Sequence, residues 1–242
     1  MILTNKKMQN NKPRILLAAP TSKHKDYCFD NWARHIKKLT YSVDILIVDN
    51  TDDRGIYAKS KIAKHFPVMH INPKPEEDNF NLVCRSQNII RNFFLAKEYD
   101  YLFMLESDHF PPYNVIEYML VKRKRIVSLP YFIGTAFKSK ILQFDMEDFG
   151  DHRQSKVMNP DKTFVQWDGK LKPKHQTGLG CTLIRREIME KIKFRIPEDN
   201  SIAAHSDVYF HQDLRKLGID NFVSESCFSQ HQNTGWFNIL KK

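Results

Sequence analysis

The chain has 242 residues, 41% hydrophobic and 12% aromatic, enough for a sizeable core in one domain or two small ones. Such a composition excludes a disordered or fibrous chain. Lysine and arginine outnumber aspartate and glutamate by 38 to 28, a net charge of +10. This excess suggests a polyanionic partner (nucleic acid, anionic lipid or phosphorylated glycan), against a merely solvated lysine-rich surface.

No apolar run approaches the roughly 18–20 residues that span a bilayer. The N-terminal stretch is polar and lacks the apolar region of a signal peptide. Cys28, Cys84, Cys181 and Cys227 lie far apart without CxxC spacing, so they read as reduced, mostly buried small hydrophobes. The default location is the cytoplasm.

Residues 1–12 form a Lys/Asn-rich lead, expected to fray. Arg14 to Thr21 reads as a buried strand closed by Pro20. Asp26 to Leu39 spaces Cys28, Phe29, Trp32, Ala33, Ile36 and Leu39 along one helix face. Asp44 to Asp49 is a second buried strand, so the first three elements make a right-handed βαβ unit. A helix over Gly55–Phe66, a strand over Val68–Ile71, a loop over Asn72–Asn81 and a helix over Leu82–Lys97 follow. The last feeds the apolar run Tyr101–Leu105, which has the length and two-sided apolarity of a central parallel strand.

Beyond that strand the expected elements are a helix over Val115–Val121, a basic run Lys122–Arg125 and a strand over Ile126–Tyr131. Residues 134–176 resist assignment apart from a suggested hairpin at Thr163–Gly169. A glycine-rich turn leads into a strand at Cys181–Ile184 and a helix. A second helix over Ser206–Leu217 closes on Gly218, and a strand at Phe222–Ser224 precedes Gln230-His231-Gln232. Together they predict a single α/β domain with a mostly parallel sheet. The expected division is a nucleotide-binding front, residues 13–110, and a substrate-binding back, residues 111–242.

In an open α/β sheet, ligands gather at the carboxyl ends of the strands. There the strand Tyr101–Leu105 runs into Glu106-Ser107-Asp108-His109. Two carboxylates spaced i, i+2 on extended chain project to one side. Unless a cation sits with them, such a pair is costly. Hard divalent ions prefer carboxylates and bridge phosphate oxygens, so a metal–diphosphate site is expected; the bland alternative is an acidic turn. Asp49 ends its strand able to accept from a base or ribose, or simply to cap a turn. Gly178 and Gly180 offer close backbone approach or positive φ, or an ordinary tight turn. Asp207 opens a helix, where the dipole alone favours an acid. His231 is either a surface residue or a late metal ligand. Lys122 and Arg123 are a solvated face or phosphate contacts. Tyr131, Phe132, Trp167 and Trp236 are core or stacking platforms.

In this order and spacing, over roughly residues 13–232, these pieces resemble the GT-A fold glycosyltransferases, particularly their family-two-like branch. Glu106-Ser107-Asp108 stands where that family has its DxD metal motif. Gly178-Leu179-Gly180 with the following Arg185-Arg186 looks like its G-x-G strand. His205-Ser206-Asp207 and the helix after it look like its E-D helix. Two positions depart: Glu106 replaces the first acid of DxD, and Ser206 replaces the Glu of E-D.

The resemblance implies Mn²⁺ or Mg²⁺ on Asp108 and His231, with Glu106 approaching it. It places Asp49 and Arg85 on the nucleoside and its phosphates, Thr21 near the base, and Gly178 and Gly180 by the donor. The donor would be a nucleotide-sugar, a UDP-sugar first. Asp207 would be the general base of an inverting transfer; a retaining mechanism stays open if Asp207 is misplaced. Among acceptors, a hydroxymethylated DNA base, as phage-type enzymes use, fits the charge and would have to be flipped out. Lys122, Arg123, Trp167 and Trp236 would meet it, and the location would be the host cytoplasm. An envelope glycan or lipid and a protein side chain are the other acceptors. A binding module without catalysis is the reading of another class. A nucleotidyltransferase is disfavoured because the turn Pro20-Thr21-Ser22-Lys23-His24 has no glycine.

Overall fold

A computed structural model describes residues 12–133, 140–141, 144–145, 175–176, 178–199, 204–224 and 227–232. The strand β1 (Ile15–Thr21) is buried on both faces and is followed by a 3₁₀ turn at Lys23–Lys25 and helix α1 (Asp26–Ile36). Strand β2 (Asp44–Asp49), helix α2 (Ile56–Ser60) and the short strand β3 (Val68–His70) come next. Helix α3 (Asn79–Leu95) leads into β4 (Tyr101–Leu105), the two-residue β5 (His109–Phe110), α4 (Val115–Val121) and β6 (Ile126–Ser128). Short strands β7 (Phe132–Ile133) and β8 (Lys140–Ile141) pair antiparallel, as do β9 (Phe144–Asp145) and β10 (His175–Gln176). Then come β11 (Cys181–Arg185), α5 (Arg186–Lys191), α6 (Ser206–Lys216), β12 (Phe222–Val223) and β13 (Gln230–His231).

Seven strands form one sheet in the order β12-β6-β11-β4-β1-β2-β3. All run in one direction except β11, which is antiparallel to both β4 and β6. The sheet therefore matches the expected mostly parallel α/β class and draws strands from both sides of residue 110. Helices cover both faces, as parallel sheets require. Alternation along β1 shows this directly. Ile15, Leu17 and Ala19 pack with Phe29, Trp32 and Ile36 of α1, while Leu16 and Ala18 pack in a second core with Ile90 and Phe94 of α3.

Several boundaries differ from the sequence expectation, each for a local reason. The helix expected over Gly55–Phe66 breaks into α2 and a 3₁₀ turn at Ile62–Lys64. Helix α3 begins at Asn79, inside the expected loop, because the Asp78 side chain accepts from the Asn81 N–H at 2.7 Å and caps it. Strand β6 stops at Ser128, two residues before Pro130. Gly218 closes α6 at φ +63°, as expected of a left-handed cap. The hairpin suggested at residues 163–169 lies outside the described residues. All four cysteines are free, and three are buried. Among the described residues, no helix is long and apolar enough to cross a membrane.

Two long-range links hold the C-terminal half against α3. Asn88 clasps Phe194, donating to its carbonyl at 2.8 Å and accepting from its N–H at 3.1 Å. Arg91 donates to the carbonyls of Met189 and Ile192 at 2.8 and 2.7 Å, satisfying the end of α5. Both residues sit apart from the apolar face of α3, where the sequence pattern gave them no partner.

Candidate active site

The parallel strands β1, β2 and β4 bring Thr21, Asp49 and Glu106 to one edge of the sheet. Because β11 runs antiparallel, its start lies at that same edge, with Cys181 opposite Leu105. The Glu106 N–H donates to the Gly180 carbonyl at 3.0 Å, which ties the two segments together. A cleft of about 420 Å³ opens there. Its walls include Thr21, Lys25, Glu106, Asp207 and His231.

Glu106 and Asp108 are not carried on extended strand. Strand β4 ends at Leu105, and the His109 N–H donates to the Glu106 carbonyl at 3.0 Å, so residues 106–109 form a turn. Strand alternation no longer holds there. Glu106 lines the cleft, whereas Asp108 is fully buried beneath it. Ser107 between them is fixed by its hydroxyl against that of Thr21 at 2.7 Å.

Asp108 is the electrostatic centre. Its Oδ2 pairs with the Lys25 ammonium and lies 3.2 Å from His231 Nε2. Burial opposes its charge, but the His231 hydrogen bond and the nearby cations hold the carboxyl well below the usual range. Burial also opposes the charge on Lys25, yet Asp108 and Glu106 outweigh it and keep the ammonium protonated. Glu106 goes the other way. Burial, then the charge of Asp108, pushes it up to about 7. Asp207 is also raised by burial, against the pull of His205 and of the Val208 N–H, which donates to its Oδ1 at 2.8 Å.

His231 reaches the site because β13 pairs with β5, setting His231 opposite His109. The two rings stack at 4.6 Å with planes 15° apart. Burial drives His109 down to about 3, so it is a neutral imidazole. Its Nδ1 meets Ser229 Oγ at 3.2 Å. Its Nε2 faces Gly180, where an added Cβ would sit 2.5 Å away. Gly180 is thus required for space and not for a left-handed backbone.

These donors suit a divalent cation. Asp108, His109 and His231 each offer an atom within 4.8 Å of the others, and Asp108 Oδ1 is buried without a hydrogen-bond partner. His109 Nδ1 is engaged by Ser229, while its Nε2, against Gly180, is likewise buried without a hydrogen-bond partner. A mixed carboxylate–imidazole pair is compatible with Mn²⁺ and similar ions. Asp49, Asp53 and His70 form a second acidic and imidazole group. Its atoms are already engaged: Asp49 with Thr51 and His70, and Asp53 with the N–H groups of Gly55 and Tyr57.

Of the residues expected from sequence, Thr21, Glu106, Asp207 and His231 share the cleft, with Asp108 and Gly180 directly beneath and Gly178 buried beside them. Asp49 and Arg85 are not among its walls. Asp49 accepts from the Thr51 hydroxyl at 2.6 Å and lies 2.7 Å from His70 Nδ1. Arg85 is held by Glu77 in a bidentate pair at 2.8 and 2.6 Å and donates to the Asn72 carbonyl at 2.7 Å. Lys122 and Arg123 lie away from the cleft, Lys122 above the Tyr118 ring at 4.4 Å. Tyr131 lines the cleft, edge-on to His109 at 4.1 Å. Trp167, Trp236 and the Phe132 side chain lie outside the described residues.

Sequence reasoning missed Lys25 and Gln87. Lys25 lies in the polar run Thr21–Lys25 that follows β1, and that run is its only sequence signal. Gln87 accepts the Ser206 hydroxyl and fixes the start of α6, where Asp207 sits. It had no signal, since it reads as one more polar position on α3.

No family model and no curated protein matches the sequence. Among solved structures, TarS 1-349 from S. aureus is similar with a TM-score of 0.54 at 10% identity, over 90% of this chain and 60% of that one. Its complex with UDP-GlcNAc gives 0.54 at 10% identity, over 91% and 58%. The complex with UDP gives 0.52 at 9% identity, over 91% and 60%. The chain thus spans less than two thirds of these TarS chains. The seven-stranded sheet with its single reversed strand, and this likeness, show that the chain has the GT-A fold.

Proposed function

We propose that the protein is a metal-dependent glycosyltransferase that moves a sugar from a nucleotide-sugar, a UDP-sugar first, to an acceptor hydroxyl. The observation that carries this reading is the gathering of Glu106, Asp108, Asp207 and His231 at the carboxyl edge of the sheet, around one cleft. TarS structures hold UDP-GlcNAc and UDP, which supports a uridine nucleotide.

Asp108 and His231 would hold Mn²⁺ or Mg²⁺, with Glu106 close by. Such an ion supplies Lewis-acid neutralisation of the leaving diphosphate. Asp207 lines the same cleft in surroundings that raise its proton affinity, which suits a general base. As the acceptor oxygen bonds to C1 of the sugar, the bond from C1 to the diphosphate oxygen breaks, and the acceptor proton passes to the Asp207 carboxylate. One in-line displacement of this kind inverts C1. Thr21 stands at the nucleoside end of the cleft in this reading.

The acceptor proposal rests on charge. A net +10 favours a polyanion, with a hydroxymethylated DNA base as its specific form. Placement of Lys122 and Arg123 away from the cleft adds no support to it.

The test is turnover of UDP-, GDP- and CMP-sugars with and without Mn²⁺, each with and without hydroxymethylated DNA. Turnover that needs Mn²⁺ and rises with the modified DNA supports both parts. If it is indifferent to DNA, the acceptor is a glycan or protein. Inertness toward every donor would leave a binding module on this scaffold.

A further inference from the structure

The cleft contains one strong cation that the sequence motifs do not explain. Among the described residues lining it, Lys25 is the one lysine or arginine. A nucleoside diphosphate brings at least two negative charges, and Arg85 is engaged by Glu77.

Lys25 sits at the end of the 3₁₀ turn after β1, with its side chain 34% exposed at the cleft wall and its ammonium on the fully buried Asp108. A buried carboxylate without a cation is costly, so this pairing keeps Asp108 charged. It also places two functions on one atom. Oδ2 of Asp108 is shared by Lys25 and His231, so a divalent ion held by Asp108 and His231 would compete with the ammonium for it. An ion bound there neutralises Asp108 and repels the ammonium. Lys25 has a flexible four-carbon stem and a compact charge, so it can turn outward without moving the backbone. Outward is the cleft.

Resting on the nucleotide-sugar reading above, we propose that Lys25 is a diphosphate-binding residue that exchanges partners. Paired with Asp108 in this structure, it is displaced by a divalent cation at Asp108 and His231 and then binds the phosphates of the donor. Metal and nucleotide binding are thereby coupled through one side chain, and the coupling is reciprocal.

The test uses the full chain and two calorimetric titrations. In the first, Mn²⁺ is titrated into wild type and Lys25→Met without nucleotide. In the second, UDP is titrated with Mn²⁺ saturating. Removing a competing ammonium should tighten Mn²⁺ binding about tenfold, while losing a charged phosphate contact should weaken UDP binding about tenfold or more. Lys25→Arg, which keeps the charge, should retain most of the UDP affinity. Opposite signs in the two titrations support the exchange, since damage to the fold would weaken both. Weakening of both, or no change in either, would overturn it, as would UDP binding that needs Lys25 but not Mn²⁺. If wild type binds neither Mn²⁺ nor UDP, the nucleotide-sugar reading itself fails.

Discussion

A methyl group on Gly180 would come within 2.5 Å of Nε2 of His109, so glycine and imidazole occupy complementary space. His109 in turn stacks on His231, whose Nε2 faces Asp108. A single missing side chain on β11's approach therefore sets the position of a proposed metal ligand on β13. Gly180→Ala should push the His109 ring aside, destabilise the protein by about 1–3 kcal/mol through overpacking, and weaken Mn²⁺ binding. Thermal unfolding and Mn²⁺ titration check this. Unchanged stability and affinity would mean that the ring yields freely.

Asp207 is proposed to act on the acceptor and not on the donor. Asp207→Asn should lower transfer by about 10²–10⁴-fold, with UDP affinity in Mn²⁺ essentially unchanged. Rates and calorimetric affinities together decide it. A parallel loss of UDP binding would place the residue on the donor side.

Asn88 makes the hydrogen bonds a backbone would make, to both the N–H and the carbonyl of Phe194. Asn88→Ala should cost about 1–3 kcal/mol, because it leaves part-buried backbone groups unpaired. Chemical denaturation measures it, and a cost near zero would show that water replaces the side chain.

His70 links Asp49 at 2.7 Å and Asn72 at 3.0 Å. Burial lowers its pKa, but the hydrogen bonds to Asn72 and Asp49 outweigh that, leaving it above its ordinary 6.5. A histidine whose folded pKa is raised stabilises fully below its unfolded pKa and loses that contribution as pH rises through the folded one. Stability should therefore fall as pH climbs upward from about 6.5, and His70→Gln should flatten that slope. Melting temperatures between pH 5.5 and 8.5 would show it; identical slopes would contradict it.

Much of this was legible in the chain. Continuous apolar runs at Ile15–Ala19, Ile45–Val48 and Tyr101–Leu105 announce buried parallel strands, and the run into Glu106-Ser107-Asp108 marks the edge where ligands gather. What stayed hidden depends on three-dimensional closure. Strand alternation puts Glu106 and Asp108 on one side, but the strand ends at Leu105 and residues 106–109 form a turn, so alternation does not set their positions. The meeting of His231 with Asp108 needs β13 to pair with β5 across more than a hundred residues. Lys25 looked like part of a polar turn, since nothing local says that its ammonium reaches a carboxylate 83 residues away. Arg85 showed the converse: Glu77, eight residues before it, captures the side chain that family likeness directed to phosphates.

The central claim is that Asp108 anchors a metal-dependent site for a nucleoside diphosphate. Its most direct test is UDP binding by calorimetry, with Mn²⁺ and with EDTA, in wild type and in Asp108→Ala. The account predicts binding in wild type that requires Mn²⁺ and is lost in the variant while the fold, followed by circular dichroism, persists. UDP binding equal in both proteins, or indifferent to Mn²⁺, would contradict it.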